Sequence, residues 1–306
     1  MAFANLDRPP LRAADLRRSL VERGPYARLD ALRLTDSTNA CLLAGAGSRP
    51  APGEAAPFAH LTALLADHQT RGRGRLDRAW EAPERSSVLA SVLVRPPRQA
   101  LDRASWLPLA AGLAVALALD PLLPTPALLA WPNDVVVGPP RADAMDDAGT
   151  SLEGWGRLRK VAGVLAQAAP ADGRAEDGAA SAGIVLGMGV NVSQRTDELA
   201  APWATSLALA GAATVDRAVV ARAVLRRLAA VYADWEAGRI GLKAQIEARC
   251  VSVGSAVTAR LPGGESVTGR GLRLDGAGAL VIGLEQGGER VVEAGEVRLC
   301  RMIGDA

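Results

Sequence analysis

The pattern of apolar residues changes character near Val251. From there the sequence VTARLPGGESVTGRGLRLDGAGALVIGLEQGGERVVEAGEVRLCR alternates apolar and polar positions, and PGG, DGAG and QGG punctuate it as turns. Short alternating strands at that spacing predict a small closed β-barrel of about fifty residues. The chain ahead of it mixes strand-length and helix-length apolar runs, which predicts a mixed-sheet α/β (α+β) domain. The expected division is 1–250 and 251–306, with the boundary between residues 248 and 252.

Within the first part, residues 11–22 read as a short amphipathic helix carrying Leu16, Leu20 and Val21. ALRLT reads as a strand, with Asp36 or Ser37 capping a helix that ends near Gly45 and Gly47. Residues 47–57 are a Pro/Gly/Ala loop. FAHLTALLADHQ fits strand or helix equally. SSVLASVLVRP is a strand with Val88, Leu89, Val92 and Val94, and residues 101–120 are a helix. LLAWPNDVVV is a strand broken at Pro132. RKVAGVLAQA and GIVLGMGVNV are further strands, and residues 138–157 and 170–181 are Gly-rich insertions. Val215–Trp235 is a helix with Leu225, Leu228, Tyr232 and Trp235 at three- and four-residue spacing, closed by Gly238.

Composition narrows the chemistry. The 306 residues carry a net charge of only +2, so no overall basic field points to nucleic acid. Cys41, Cys250 and Cys300 are odd in number and far apart, which argues against a disulfide framework or a zinc site and for a reducing compartment. The N-terminus lacks a signal-peptide pattern, and the most apolar run, Leu107–Leu119, is too short to span a bilayer. A cytoplasmic enzyme without membrane contact is expected. The only histidines are His60 and His68, and no GxSxG, GxxxxGK[ST], HExxH or kinase set is present. That disfavours nucleophilic triads and metal hydrolysis, and leaves transfer chemistry run by positioning and charge neutralisation.

Five segments carry polar residues where such chemistry needs them. HQTRGRGRLDRAW, residues 68–80, places four arginines within eight residues among glycines. Arginine's planar fork binds carboxylate or phosphate in two places, and glycine lets backbone N–H groups approach an anion. A solvated basic loop or an RNA-binding segment would read the same way. Trp131-Pro132-Asn133-Asp134 sets two polar residues into an apolar strand, or forms a tight turn. Lys160 heads KVAGVL, and it is notable because only Lys160 and Lys243 among 35 basic residues are lysine. As a compact charge on a flexible stem it can follow charge developing on a phosphate, or it can rest with its head in water. Gly187-Met188-Gly189-Val190-Asn191 is half a dinucleotide fingerprint without the helix. It reads better as a strand whose missing side chains admit a flat ligand or another backbone, or as plain sheet packing. Asp36-Ser37-Thr38-Asn39 is a helix cap that can also point hydroxyl and amide groups at a small polar ligand.

Taken in order, DSTN, HQTRGRGRxxRxW, WPND, KxxGVL and GxGxNV resemble the biotin–protein ligase family over roughly residues 30–300. The resemblance implies the mixed-sheet catalytic fold of biotin and lipoate ligases followed by an SH3-like C-terminal barrel. It also implies ATP-dependent formation of biotinyl-5′-AMP and transfer of biotin to a lysine of a biotin carboxyl-carrier domain. Biotin, ATP and Mg²⁺ would be the ligands, with no tightly bound metal or prosthetic group. The short stretch before DSTN resembles the monofunctional type without a DNA-binding domain, acting as a monomer or weak homodimer. By the same resemblance, Ser37, Thr38, Asn39, Gln69, Gly72, Arg73, Gly74, Arg75, Trp80, Lys160 and Gly163 would bind biotin. Arg75, Arg78, Trp80, Asn133, Lys160, Gly187, Gly189 and Asn191 would receive the nucleotide. Lys160, Arg73, Arg75 and Asp134 would be catalytic, with Asp134 also the candidate contact to a phosphate-bound Mg²⁺. A lipoate or octanoate ligase and a non-catalytic biotin-binding relative are the competing readings. The family usually has lysine where Ala130 precedes WPND, and the gap from Asp134 to Lys160 is longer than usual.

Overall fold

The computed structural model describes residues 8–46, 58–138, 151–169 and 183–300. The predicted loop at 47–57 and insertion at 170–181 therefore lie outside the described residues, as does 139–150 of the other insertion. The elements are α1 (Ala13–Arg17), β1 (Arg28–Thr35), α2 (Thr38–Ala46), β2 (Thr62–Gln69), β3 (Ser87–Val94), α3 (Leu107–Leu119), β4 (Leu128–Ala130), β5 (Asp134–Val137), β6 (Arg159–Ala169), β7 (Gly183–Asn191), α4 (Arg217–Glu236) and α5 (Gly241–Arg249). Then come β8 (Ala256–Arg260), β9 (Ser266–Leu274), β10 (Leu280–Leu284), β11 (Glu289–Val292) and β12 (Glu296–Leu299).

The first seven strands form one sheet in the order β1-β2-β3-β7-β6-β5-β4. Only β1 and β2 run parallel, joined through α2; all other neighbours are antiparallel. This pairing resolves the ambiguous run at 58–69 in favour of a strand. All eight residues of β3 are buried. Helix α2 covers one face through Leu42, Ala46, Leu64, Leu93 and Val185, and α3 and α4 cover the other. Burial on both faces is why SSVLASVLV reads as a continuous apolar run rather than an alternation.

Helix α3 is extended by 3₁₀ turns at Arg98–Trp106 and Asp120–Leu122. Together they make Arg98–Leu122 long and apolar enough to cross a bilayer, but 67% of its apolar window is buried inside the protein, as in a core helix. Helix α4 starts two residues later than its pattern implied. The Asp216 carboxylate accepts from the Ala218 and Val219 N–H groups at 2.7 and 3.3 Å, leaving Val215 outside. Helix α5 has a weaker apolar stripe and was not anticipated from the sequence.

The last five strands form an antiparallel sheet in the order β11-β10-β9-β8-β12, within the span expected for the barrel. One hydrophobic cluster runs through both sheets, from Leu129 and Trp131 to Val257, Leu274 and Ile282. Val251 N–H bonds Leu129 O at 2.8 Å, and the Trp131 indole donates to Gly278 O at 2.9 Å. The WPND turn is thereby gripped by the C-terminal sheet.

Asp67, one residue before the His68–Trp80 segment, is held by a buried pair with Arg217 at 2.7 Å, the side chains being 6% and 5% exposed. Leu11 N–H and Arg85 also approach this carboxylate, at 3.2 and 3.7 Å. Removing one partner of a buried pair strands the other charge. Arg217→Met is expected to cost about 3 kcal/mol, read as a drop in thermal midpoint. An unchanged midpoint would mean that Arg85 alone suffices.

Candidate active site

The arginine–glycine segment is a tight fold-back. Trp80 N–H bonds Gly72 O at 2.9 Å, Gly74 N–H bonds Arg78 O at 2.6 Å, and Arg73 pairs with Ala79. Leu76 and Asp77 at the tip take positive φ of 53° and 56°. Gly72 is required because a Cβ there would overlap Trp80 O. The fold-back lays the Trp80 indole against the α2 face of the sheet.

That face explains the glycines. Val185, Gly187 and Gly189 alternate along β7, opposite Gln167, Leu165 and Gly163 on β6. Val185 packs under α2. At Gly187 the missing side chain is replaced by the Asn39 amide, and at Gly189 by the Trp80 indole; a Cβ at either would overlap them. A Cβ at Gly163 would stand 3.1 Å from the Trp80 ring and 3.2 Å from Lys160 Nζ. The flat group that GxGxN admits is thus the protein's own indole, laid down as the wall of a pocket of about 320 Å³.

Ser37, Thr38, Asn39, Gln69, Arg73, Gly74, Arg75, Arg78, Trp80, Asn133, Asp134, Lys160, Gly163, Gly187, Gly189 and Asn191 all line this pocket. Gly72 is buried in the base of the fold-back. Residues as far apart in sequence as Ser37 and Asn191 meet here because β6 and β7 are central neighbours and β2 delivers the fold-back beside them.

The pocket's charge is unevenly paired. Lys160 Nζ lies 2.7 Å from Asp134 Oδ1 and 5.6 Å from the Trp80 ring centroid. Arg78 is bound to Glu296 of β12 at 2.6 Å, which raises the arginine's pKa and ties the fold-back to the C-terminal sheet. Arg75 is half-buried and has no carboxylate at ion-pair distance among the described residues. Burial lowers its pKa, with Asp134 opposing from nearby. A half-buried guanidinium without a counter-ion calls for an anion.

Several of the polar residues named from the sequence already hold protein partners. Gln69 Oε1 accepts from Thr38 N–H at 2.7 Å and Thr38 Oγ1 at 3.0 Å. Asn39 donates to Gln167 Oε1 at 2.8 Å and accepts from Ser91. Asn133 Nδ2 donates to Val164 O at 2.7 Å, and Asn191 Nδ2 to Thr205 O at 2.9 Å. Sequence reasoning passed over Ser91, Gln167, Trp155, Trp203 and Glu296. The signal for Ser91 was a serine inside a fully apolar strand. Nothing local marked the others.

Among the described residues no three His, Cys, Asp or Glu side chains gather as a metal site. Asp134, the one carboxylate expected near a metal, is already neutralised by Lys160.

The sequence and fold place the chain among known proteins. Residues 56–191 match the model of the Biotin/lipoate A/B protein ligase family. The chain is 37% identical over 295 residues to the biotin–[acetyl-CoA-carboxylase] ligase of Mycobacterium tuberculosis, covering 95% of this chain and 96% of that protein. The chain belongs to the biotin–protein ligase family. A bifunctional ligase/repressor of Bacillus subtilis is 27% identical over 238 residues, 76% of this chain and 65% of the relative. The structure of the Aquifex aeolicus biotin protein ligase in complex with biotin and ATP superposes with a TM-score of 0.66 at 27% identity, covering 90% of this chain and all of that one. Within this biotin–protein ligase, Ala130 lines the pocket and pairs with Asp134 across the β4–β5 hairpin. The cations that line the pocket are Arg73, Arg75, Arg78 and Lys160.

Proposed function

We propose that this chain activates biotin with ATP to biotinyl-5′-AMP and then transfers the biotinyl group to a lysine of a biotin carboxyl-carrier domain. The observation that carries the proposal is the pairing of an uncompensated Arg75 with Lys160 in one pocket. A biotin carboxylate oxygen attacks the α-phosphorus, the α–β P–O bond breaks and pyrophosphate leaves. Two anions must meet for this, and Arg73, Arg75 and Lys160 lower that cost. Mg²⁺ bound to the triphosphate would share the charge. Lys160 moves from Asp134 to the ligand oxygens, freeing the carboxylate. In the second step the carrier's amine attacks the acyl carbonyl and AMP leaves, with Asp134 orienting the amine or taking its proton. Ser37, Thr38, Asn39, Gln69 and Gly163 line the biotin end. Arg78, Trp80, Asn133, Gly187, Gly189 and Asn191 shape the nucleotide end. The protein acts in the cytoplasm, and the residues 251–306 unit braces the site through Glu296.

Purified protein with biotin and Mg·ATP should release pyrophosphate and accumulate biotinyl-adenylate, and a carrier domain added to it should become streptavidin-reactive. No adenylate, with biotin still bound, would favour the non-catalytic reading. Recovery of activity in Ala130→Lys would then locate the defect. Preferential use of lipoate in competition would move the substrate to that class.

A further inference from the structure

Trp155 belongs to the stretch between Asp134 and Lys160 that is longer than the family resemblance leads one to expect. Its backbone sits in a turn closed by Leu152 and Gly156, with Trp155 N–H on Leu152 O at 3.0 Å. The turn is anchored to the C-terminal sheet. Leu299 N–H bonds Gly154 O at 3.1 Å, and Gly154, at φ +77°, packs on Arg298. The Trp155 indole lies parallel to that of Trp203, with centroids 6.1 Å apart and planes 4° from coincidence. Arg298 stands 5.8 Å from the Trp203 ring centroid. Trp203 is itself fixed beside the reactive lysine: Lys160 N–H bonds Trp203 O and Thr205 N–H bonds Lys160 O, both at 2.8 Å.

Both indoles line the adenylation pocket. Packing accounts for the parallel rings, but not for the Trp155 Nε1–H, which is shielded from solvent without an acceptor. A buried indole donor normally finds a partner. An aromatic base lying in the plane of the Trp155 ring, and so parallel to the Trp203 indole, offers a ring-nitrogen lone pair to this donor.

We propose that Trp155 is a specificity-determining residue of the nucleotide end: its indole edge walls the slot for the base, and its N–H donates to a lone-pair nitrogen on the edge of a base lying in the plane of its ring. This rests on the adenylation reading above and adds a residue that the five recognised segments do not contain. The turn that carries it is held by β12, so the C-terminal sheet sets the position of the wall.

The test uses the full chain, with pyrophosphate release measured against ATP and against biotin. Trp155→Leu removes the ring and is expected to raise KM for ATP about tenfold, leaving KM for biotin unchanged and kcat within about twofold. Trp155→Phe keeps a ring but loses the donor and should fall between Leu and wild type. An unchanged KM for ATP in both variants would overturn the proposal. So would a fall in kcat with both KM values unchanged, which marks a merely structural turn. If the wild type forms no biotinyl-adenylate, the ligase reading fails by itself. Equilibrium binding of Mg·ATP to wild type and Trp155→Leu then decides the slot: equal affinities overturn it, and weaker binding by the variant supports it.

Discussion

Lys160→Ala is expected to cut the single-turnover rate of biotinyl-adenylate formation by about 10²- to 10³-fold, the scale of removing one group that stabilises developing charge. Lys160 sits between Asp134, the Trp80 face and the Gly163 floor. Its loss removes the ammonium and leaves Asp134, itself only 20% exposed, without its ion-pair partner and facing incoming anions. Lys160→Arg should not restore the rate, because a planar fork cannot occupy the compact position against the indole. Near-normal single-turnover rates in Lys160→Ala, in protein with wild-type thermal unfolding, would remove this residue from the mechanism.

Gly189→Ala is the second change with a large expected effect. The new methyl would overlap the Trp80 indole at its ring-fusion bond and the adjoining carbon of the six-membered ring. Strand β7 is hydrogen-bonded on both sides, to β3 and β6, so its backbone cannot retreat. The indole must lift instead, and the fold-back that carries Arg73 and Arg75 moves with it. Overpacking of this kind costs about 1–3 kcal/mol of stability. A displacement near 1 Å at reacting groups can cost about 100-fold in rate, so activity should fall far more than the thermal midpoint. Gly263→Ala, in an open turn with nothing within 4 Å of the added methyl, is the control and should be indistinguishable from wild type. Full activity in Gly189→Ala would show that the indole does not need to lie flat.

Much of the fold was legible because burial leaves a period. The three-four spacing from Leu225 to Trp235 marked α4, and the alternation after Val251 marked the C-terminal strands. Where burial is two-sided or weak the period is lost. FAHLTALLADHQ was ambiguous until β1 and β3 paired with it, and α5 left no clear stripe. The site divided in the same way. Lys160 stood out in a lysine-poor chain, and the arginines stood out among glycines. Trp155, Trp203 and Glu296 carry no local mark, since what makes them pocket residues is what they face.

The residue types and their order by themselves determined the kind of chemistry: charge neutralisation by arginine and lysine, with glycine where something flat must approach. Tertiary structure alone decided what each glycine admits and which cations stay unpaired. Gly187 receives Asn39 and Gly189 receives Trp80 because β6–β7 pairing puts those positions on the α2 face. Arg78 is neutralised by a strand more than 200 residues away, and Arg75 is left open. Pairing and burial are properties of neighbours in space, and a chain encodes those only through the fold as a whole.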